Sequence, residues 1–153
     1  MKKYIIDLRV VSLQHFNDKY VLLKLSSDEK LPAMLPGQFV EVRVDGSPNT
    51  FLRRPISINL VDYDLASLHE GDTLNCVLPL GNGFTMPKTP EDKWLLIGGG
   101  VGIAPLLYFG QEIVRMGAKP TFLLGARSES DLLELEEFRK LGRVLITTED
   151  GSA

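Results

Sequence analysis

Three short stretches of this 153-residue chain hold the residues whose types and spacing could do chemistry. The first is Gly98-Gly99-Gly100-Val101-Gly102-Ile103-Ala104-Pro105, directly after an apolar run at 94–97. A strand that turns on glycines into a helix leaves free backbone N–H groups and the positive helix end at one spot, where a pyrophosphate can sit. A Cβ there would hold the phosphates off, which is why the residue type is glycine. The spacing Gly100-x-Gly102-x-x-Pro105 is not the GxGxxG fingerprint, and Gly125-Ala126-Arg127-Ser128 stands where an acidic residue would read a ribose. A tight turn built for packing alone would give the same string. The second stretch is Arg53-Arg54-Pro55-Ile56-Ser57, where an arginine at a strand entry can clamp a phosphate bidentately and a serine three positions on can donate a hydrogen bond. Solvated edge charges are the competing account of paired arginines. The third is Leu78-Pro79-Leu80-Gly81-Asn82-Gly83-Phe84, whose glycines demand positive φ or close backbone approach. An ordinary turn plugged by Phe84 also fits.

The elements that must position these stretches fall into two kinds. Up to about residue 90 the pattern is short strands and turns, with strands predicted at 4–11, 20–25, 39–44, 55–61 and 73–78. In the third, Val40, Val42 and Val44 alternate with Phe39, Glu41 and Arg43, so the valines are expected in a core. This is the signature of an antiparallel barrel or sandwich. After a linker at Pro87-Lys88-Thr89-Pro90 the pattern changes to strand 94–97, helix 104–116, strand 121–124, helix from about Ser128 to Leu141, and strand 144–147. Pro105 suits the first helix's opening turn and Gly117 its C-terminal cap. Leu132, Leu135, Phe138 and Leu141 share one face of the second helix, with Asp131, Glu134, Glu136 and Glu137 on a solvated face. Such alternation is half of a doubly wound α/β domain. The expected architecture is thus a β-barrel domain, 1–88, and an α/β nucleotide-binding domain, 91–153.

Composition narrows the function classes. Hydrophobic residues make up 44% and charged residues 24%, the balance of a globular chain. No apolar run reaches the ~18 residues of a membrane span, and Asp7 and Arg9 interrupt any signal-peptide core. A net charge of −3 with interspersed signs argues against nucleic acid. The expected setting is cytoplasmic. One cysteine, Cys76, excludes a disulfide framework, and its alternation with Leu74 and Leu78 marks it as a buried small hydrophobe. His15 and His69 sit in polar turns, with no second partner at metal spacing. No Ser/His/Asp or Cys/His set suggests hydrolysis.

Taken in order, the three stretches resemble the ferredoxin–NADP reductase superfamily. With Thr148-Glu149-Asp150-Gly151-Ser152, they look most like the electron-transfer subunits of NAD-linked dihydroorotate dehydrogenases, iron–sulfur flavoproteins of pyrimidine biosynthesis. That resemblance implies a six-stranded-type barrel binding FAD, an α/β domain receiving NAD, and a C-terminal segment holding a [2Fe–2S] cluster. Electrons would pass from an FMN-containing catalytic partner, in a heterotetramer, through the cluster and FAD to NAD⁺. Arg54 would hold the FAD phosphates with Pro55 beside it, and Ser57 would hydrogen-bond near flavin N5. Ile56 stands where a tyrosine often lies against the flavin ring. Gly81, Asn82 and Gly83 would lie near the flavin, and Gly98, Gly99, Gly100, Gly102, Ile103, Ala104 and Pro105 would cradle the NAD pyrophosphate. No catalytic acid or base is needed for the hydride itself.

The chain departs from that pattern twice. One cysteine cannot ligate a cluster, so metal is expected only in a full-length protein. Five barrel strands are counted where the family has six, and the family's fifth strand with a following Gly-x-Gly-Thr loop should lie between Ile58 and Leu68, yet Asp64 runs straight into Leu65. A segment is therefore expected to be absent there, and the end at Ala153 to be cut in the same way. Rival accounts are the NAD(P)-binding subunit of a ferredoxin–NADP oxidoreductase or sulfide dehydrogenase, where Arg127 would favour a 2′-phosphate, and a non-catalytic reductase-like module.

Overall fold

A computed structural model describes residues 2–45, 52–58 and 69–153. The chain forms two compact units, Met1–Gly83 and Phe84–Ala153. The expected gap between Asp64 and Leu65 lies outside the described residues.

The first unit is a curled antiparallel sheet. Its strands are β1 (Tyr4–His15), β2 (Val21–Ser26), β3 (Phe39–Val42), β4 (Arg54–Ser57) and β5 (Thr73–Leu80), in the order β2-β1-β5-β3-β4. β1 runs four residues past its expected end, because a bulge between Val10 and Ser12 resets its alternation and lets Leu13 and Gln14 continue the pairing with β2. The turn that follows is closed by Asn17, whose Oδ1 accepts the N–H groups of Lys19 and Tyr20 at 2.8 and 3.0 Å. The inner face buries Leu8, Val10, Val42, Leu74, Cys76 and Leu78, with Val40, Val44 and Ile56 packed against them. The valine alternation of β3 therefore points as expected. Each such side chain contributes about 1.5–3 kcal/mol when fully buried.

The second unit is a parallel sheet of β6 (Trp94–Gly99), β7 (Pro120–Ala126) and β8 (Arg143–Thr148), with α1 (Ala104–Arg115) and α2 (Leu135–Leu141) in the connections. Leu96, Phe122 and Leu124 pack with Leu106, Phe109, Ile113 and Phe138 of the helices, so both helices cover one sheet face. Gly110 sets the distance of α1, since a Cβ there would lie 2.6 Å from Phe122 Cζ. Phe122 meets Phe138 edge-on at 5.0 Å. On the other face Leu95 and Ile97 are 56% and 64% exposed.

One expectation for this unit needs correction. The second helix is not continuous from Ser128. Asp131, Leu132 and Leu133 are all buried, and a regular helix would turn at least one of three successive side chains to solvent. The chain instead makes a short 3-10 turn at Glu129–Asp131, leaves helical geometry at Leu132, and restarts α2 after Glu134, held at φ 54°. Asp131 consequently leaves the solvated acidic face on which the sequence put it. Pro87 is buried, and the Asp92 carboxylate accepts the N–H groups of Lys88 and Thr89 at 2.8 and 3.1 Å.

Candidate functional site

In the first unit the candidate residues gather around the outer strand β4 and the loop after β5. Arg54 is the first residue of β4, opposite Val42, at the strand entry as expected. Ile56 packs on the inner core, Pro55 is exposed, and Ser57 is half-buried opposite Phe39. The neighbouring Arg53 is no solvated edge charge. Its Nη1 donates to the Asn75 carbonyl at 2.7 Å and to that of Glu41 at 3.5 Å, and Nη2 bonds the Asn75 side chain. Asn75 in turn donates to Asp7 Oδ1 at 2.6 Å. Arg53 thus ties three strands together.

The loop after β5 starts later than expected, because Pro79 and Leu80 belong to the strand. Gly81 has φ +76°, a left-handed turn that excludes most side chains. Gly83 is a packing glycine: a Cβ there would lie 2.8 Å from Leu35 Cβ. Asn82 between them is exposed. Phe84 is 39% exposed rather than a core plug, and its ring lies 4.9 Å from that of Phe109.

In the second unit the glycines after β6 divide by role. A Cβ on Gly98 would come within 2.7 Å of Leu106 Cδ1 and 3.0 Å of the Gly102 carbonyl, so Gly98 serves helix packing. Gly99 is exposed at the end of β6. Gly100, at φ +54°, and Gly102 have no atom within 4 Å of where a Cβ would stand. A side chain at Gly102 would therefore meet open space. These residues form a 3-10 turn, Gly100–Ile103, that runs into α1 with Pro105 in the first turn and Ile103 and Ala104 buried beneath it. The turn opens at the carboxyl ends of the parallel strands, where open α/β sheets bind ligands.

The next strand ends form a braced edge. Glu149 N–H donates to the Ala126 carbonyl at 3.1 Å and Asp150 N–H to that of Arg127 at 3.2 Å. Ser152 Oγ accepts from Glu129 N–H at 2.8 Å and donates to Asp150 Oδ1 at 2.6 Å. The Ser152 hydroxyl and N–H hold the Asp150 carboxyl below its usual range. Arg127 is exposed beside this edge.

The remaining candidates carry no chemistry. Cys76 is fully buried, and burial pushes its thiol up to about 11 against the opposing pull of Arg53. His15 is exposed, and His69 closes a turn with Asp72. Among the described residues no group of three or more His, Cys, Asp or Glu could hold a metal ion. One residue that the sequence did not single out is central: Gln38, fully buried between the two candidate stretches of the first unit. A polar residue directly between a Pro-Gly turn and the strand Phe39-Val40 was the signal available.

The fold is that of the ferredoxin reductases. An NADH-dependent reduced ferredoxin-NADP oxidoreductase matches at TM-score 0.74 and 28% identity, over 95% of this chain and 58% of its own. The Amycolatopsis cytochrome P450 reductase matches at TM-score 0.75 and 27% identity, over 96% and 53%. By sequence, the chain is a homologue of the electron transfer subunit of dihydroorotate dehydrogenase B (NAD(+)). It is 38% identical to that of Shouchella clausii over 135 residues, 76% of this chain and 52% of the relative. It is 35% identical to that of Listeria monocytogenes over 164 positions, 95% and 64%. The chain thus spans between half and two thirds of the length of these relatives. The Listeria alignment is longer than the chain itself, so that relative carries residues within the matched span that this chain lacks. No family model matches.

Proposed function

We propose that this chain is the flavin- and nucleotide-handling part of the electron-transfer subunit of an NAD-linked dihydroorotate dehydrogenase, working in the cytoplasm with an FMN-containing catalytic subunit in a heterotetramer. The observation that carries this reading is the 35% identity with such a subunit over 95% of the chain. The residues fit FAD and NAD. Arg54 supplies a guanidinium for the FAD phosphates, Ser57 a hydroxyl for the flavin ring edge, and Gly81 with Asn82 and Gly83 an exposed loop beside it. Gly100 and Gly102 keep open the space a Cβ would take beside the turn, room for a pyrophosphate, with Gly98, Gly99, Ile103, Ala104 and Pro105 shaping that turn. When bound, the flavin exchanges hydride with the nicotinamide and single electrons with a one-electron centre. The protein's part is orientation, with no side chain required to move the hydride.

The [2Fe–2S] cluster does not fit this chain. Such a cluster needs four thiolate ligands or their equivalents, and the one cysteine here is buried with its thiol held protonated. Cluster ligation belongs to the part of the relatives that this chain does not span.

The test is the full-length protein, first alone and then with its catalytic partner. Retention of FAD with the flavin's visible absorbance, and NADH formation from dihydroorotate only when both subunits are present, is the expected result. A protein that stays colourless with added FAD would leave a non-catalytic module. The exposed Arg127 and the match to a ferredoxin-NADP oxidoreductase favour a second reading. Under it the flavoprotein would reduce NADP⁺ in preference to NAD⁺ and ignore dihydroorotate.

A further inference from the structure

Gln38 is polar and fully buried, a placement that costs free energy unless its hydrogen bonds are made. They are made to two different places. Its Oε1 accepts the Leu35 N–H at 2.7 Å, and its Nε2 donates to the Gly81 carbonyl at 3.2 Å. Through its backbone it donates to the Leu35 carbonyl at 3.1 Å and accepts from the Ile58 N–H at 3.2 Å. Ile58 directly follows Ser57, the last residue of β4. Gly81 opens the loop that carries Asn82 and Gly83. One residue is therefore bonded to the end of the strand bearing Arg54 and Ser57 and to the start of the loop after β5.

The apolar contacts around it serve the same junction. Gly81 sits against the Phe39 ring and Gly83 against Leu35, each so closely that a Cβ would fall at 3.0 and 2.8 Å. Phe39 pairs with both Ser57 and Leu80. Packing alone holds the pieces near one another, but it does not fix their spacing to the tolerance a bound ring needs. A directional amide bonded at both ends does.

We propose that Gln38 is the positioning residue of the flavin site. It sets the distance between the Ser57 end of β4 and the Gly81–Gly83 loop, and touches no reacting atom itself. The proposal rests on the flavin reading above. Q38M fills nearly the same volume without either side-chain bond, and Q38E keeps the acceptor and regains a donor only when protonated.

Both variants are made in the full-length protein and measured for folding, FAD affinity, the fine structure of the bound flavin's visible band, and amide exchange without flavin. Q38M is expected to stay folded and bind FAD about tenfold or more weakly, the scale set by leaving buried groups unpaired. Its flavin band should broaden, and exchange should rise at Leu35 and over 81–84. Q38E should resemble Q38M at alkaline pH and approach the parent as pH falls. Parent-like FAD affinity in Q38M would overturn the proposal. So would a Q38E affinity whose pH dependence matches the parent's, or unfolding of Q38E at every pH, since either assigns Gln38 to the fold alone. A parent protein that binds no FAD would overturn the flavin reading instead, and the exchange data would still report whether Gln38 holds the loop.

Discussion

Arg53 and Cys76 occupy adjoining sites and illustrate how a side chain's worth depends on what surrounds it. Arg53 spends its guanidinium on Asn75 and Glu41, so its charge is structural. Cys76 lies under the same sheet, where burial raises its thiol from an ordinary 9.0 to about 11. The protonated thiol is therefore the folded form. Its contribution to stability is fully present below the unfolded value near pH 9 and is lost as pH rises toward about 11. Urea unfolding across that range should show the parent losing stability relative to Cys76→Ala, which has nothing to titrate. Parallel pH profiles for the two proteins would contradict the assignment. A thiol reagent at neutral pH should label Cys76 only on unfolding.

At the scale of the element, the strand–turn–helix at 94–115 separates packing from binding among adjacent glycines. Gly98→Ala forces a methyl onto Leu106 and the Gly102 carbonyl and should cost about 1–3 kcal/mol, the range for overpacking. Gly102→Ala meets nothing and should change stability by less than about 0.5 kcal/mol. It should nevertheless weaken NADH binding, because the methyl occupies the approach to the backbone N–H groups. Chemical denaturation and fluorescence titration of NADH measure the two effects separately. Unaltered NADH affinity in Gly102→Ala would show that the turn is bare for some other reason. The other helix shows how an element can defeat a periodic reading. Leu132, Leu135, Phe138 and Leu141 have helical spacing, yet Leu133 and Asp131 are buried too, and the chain must break its helix to place them all.

For the whole molecule, the second unit has both helices on one face of its sheet and Leu95, Ile97 and Leu145 exposed on the other, at 56%, 64% and 40%. Parallel sheets ordinarily have both faces covered. Ile97→Lys in this 153-residue chain should reduce binding of a hydrophobic dye and cost less than about 0.5 kcal/mol, as exposed positions do. A loss of several kcal/mol would mean that the face is buried in solution. Among the described residues no helix is long and apolar enough to cross a membrane.

The sequence by itself determined the two architectures, the order of the strands along the chain and the three candidate stretches. Hydrophobic period and glycine–proline punctuation are local signals, and each of those features is written locally. It also determined that Cys76 would be buried, from the alternation of its own strand. Tertiary structure decided what no local pattern contains. It decided that Arg53 is bonded across the sheet, which glycines of 98–102 meet neighbouring atoms, and where the second helix begins. It also made Gln38 the junction between two loops, because the Gly81 carbonyl lies 43 residues away along the chain but 3.2 Å away in space. The physical reason is common to all four cases. A side chain's bonding and burial are set by partners distant in sequence, and the chain's own period does not encode them.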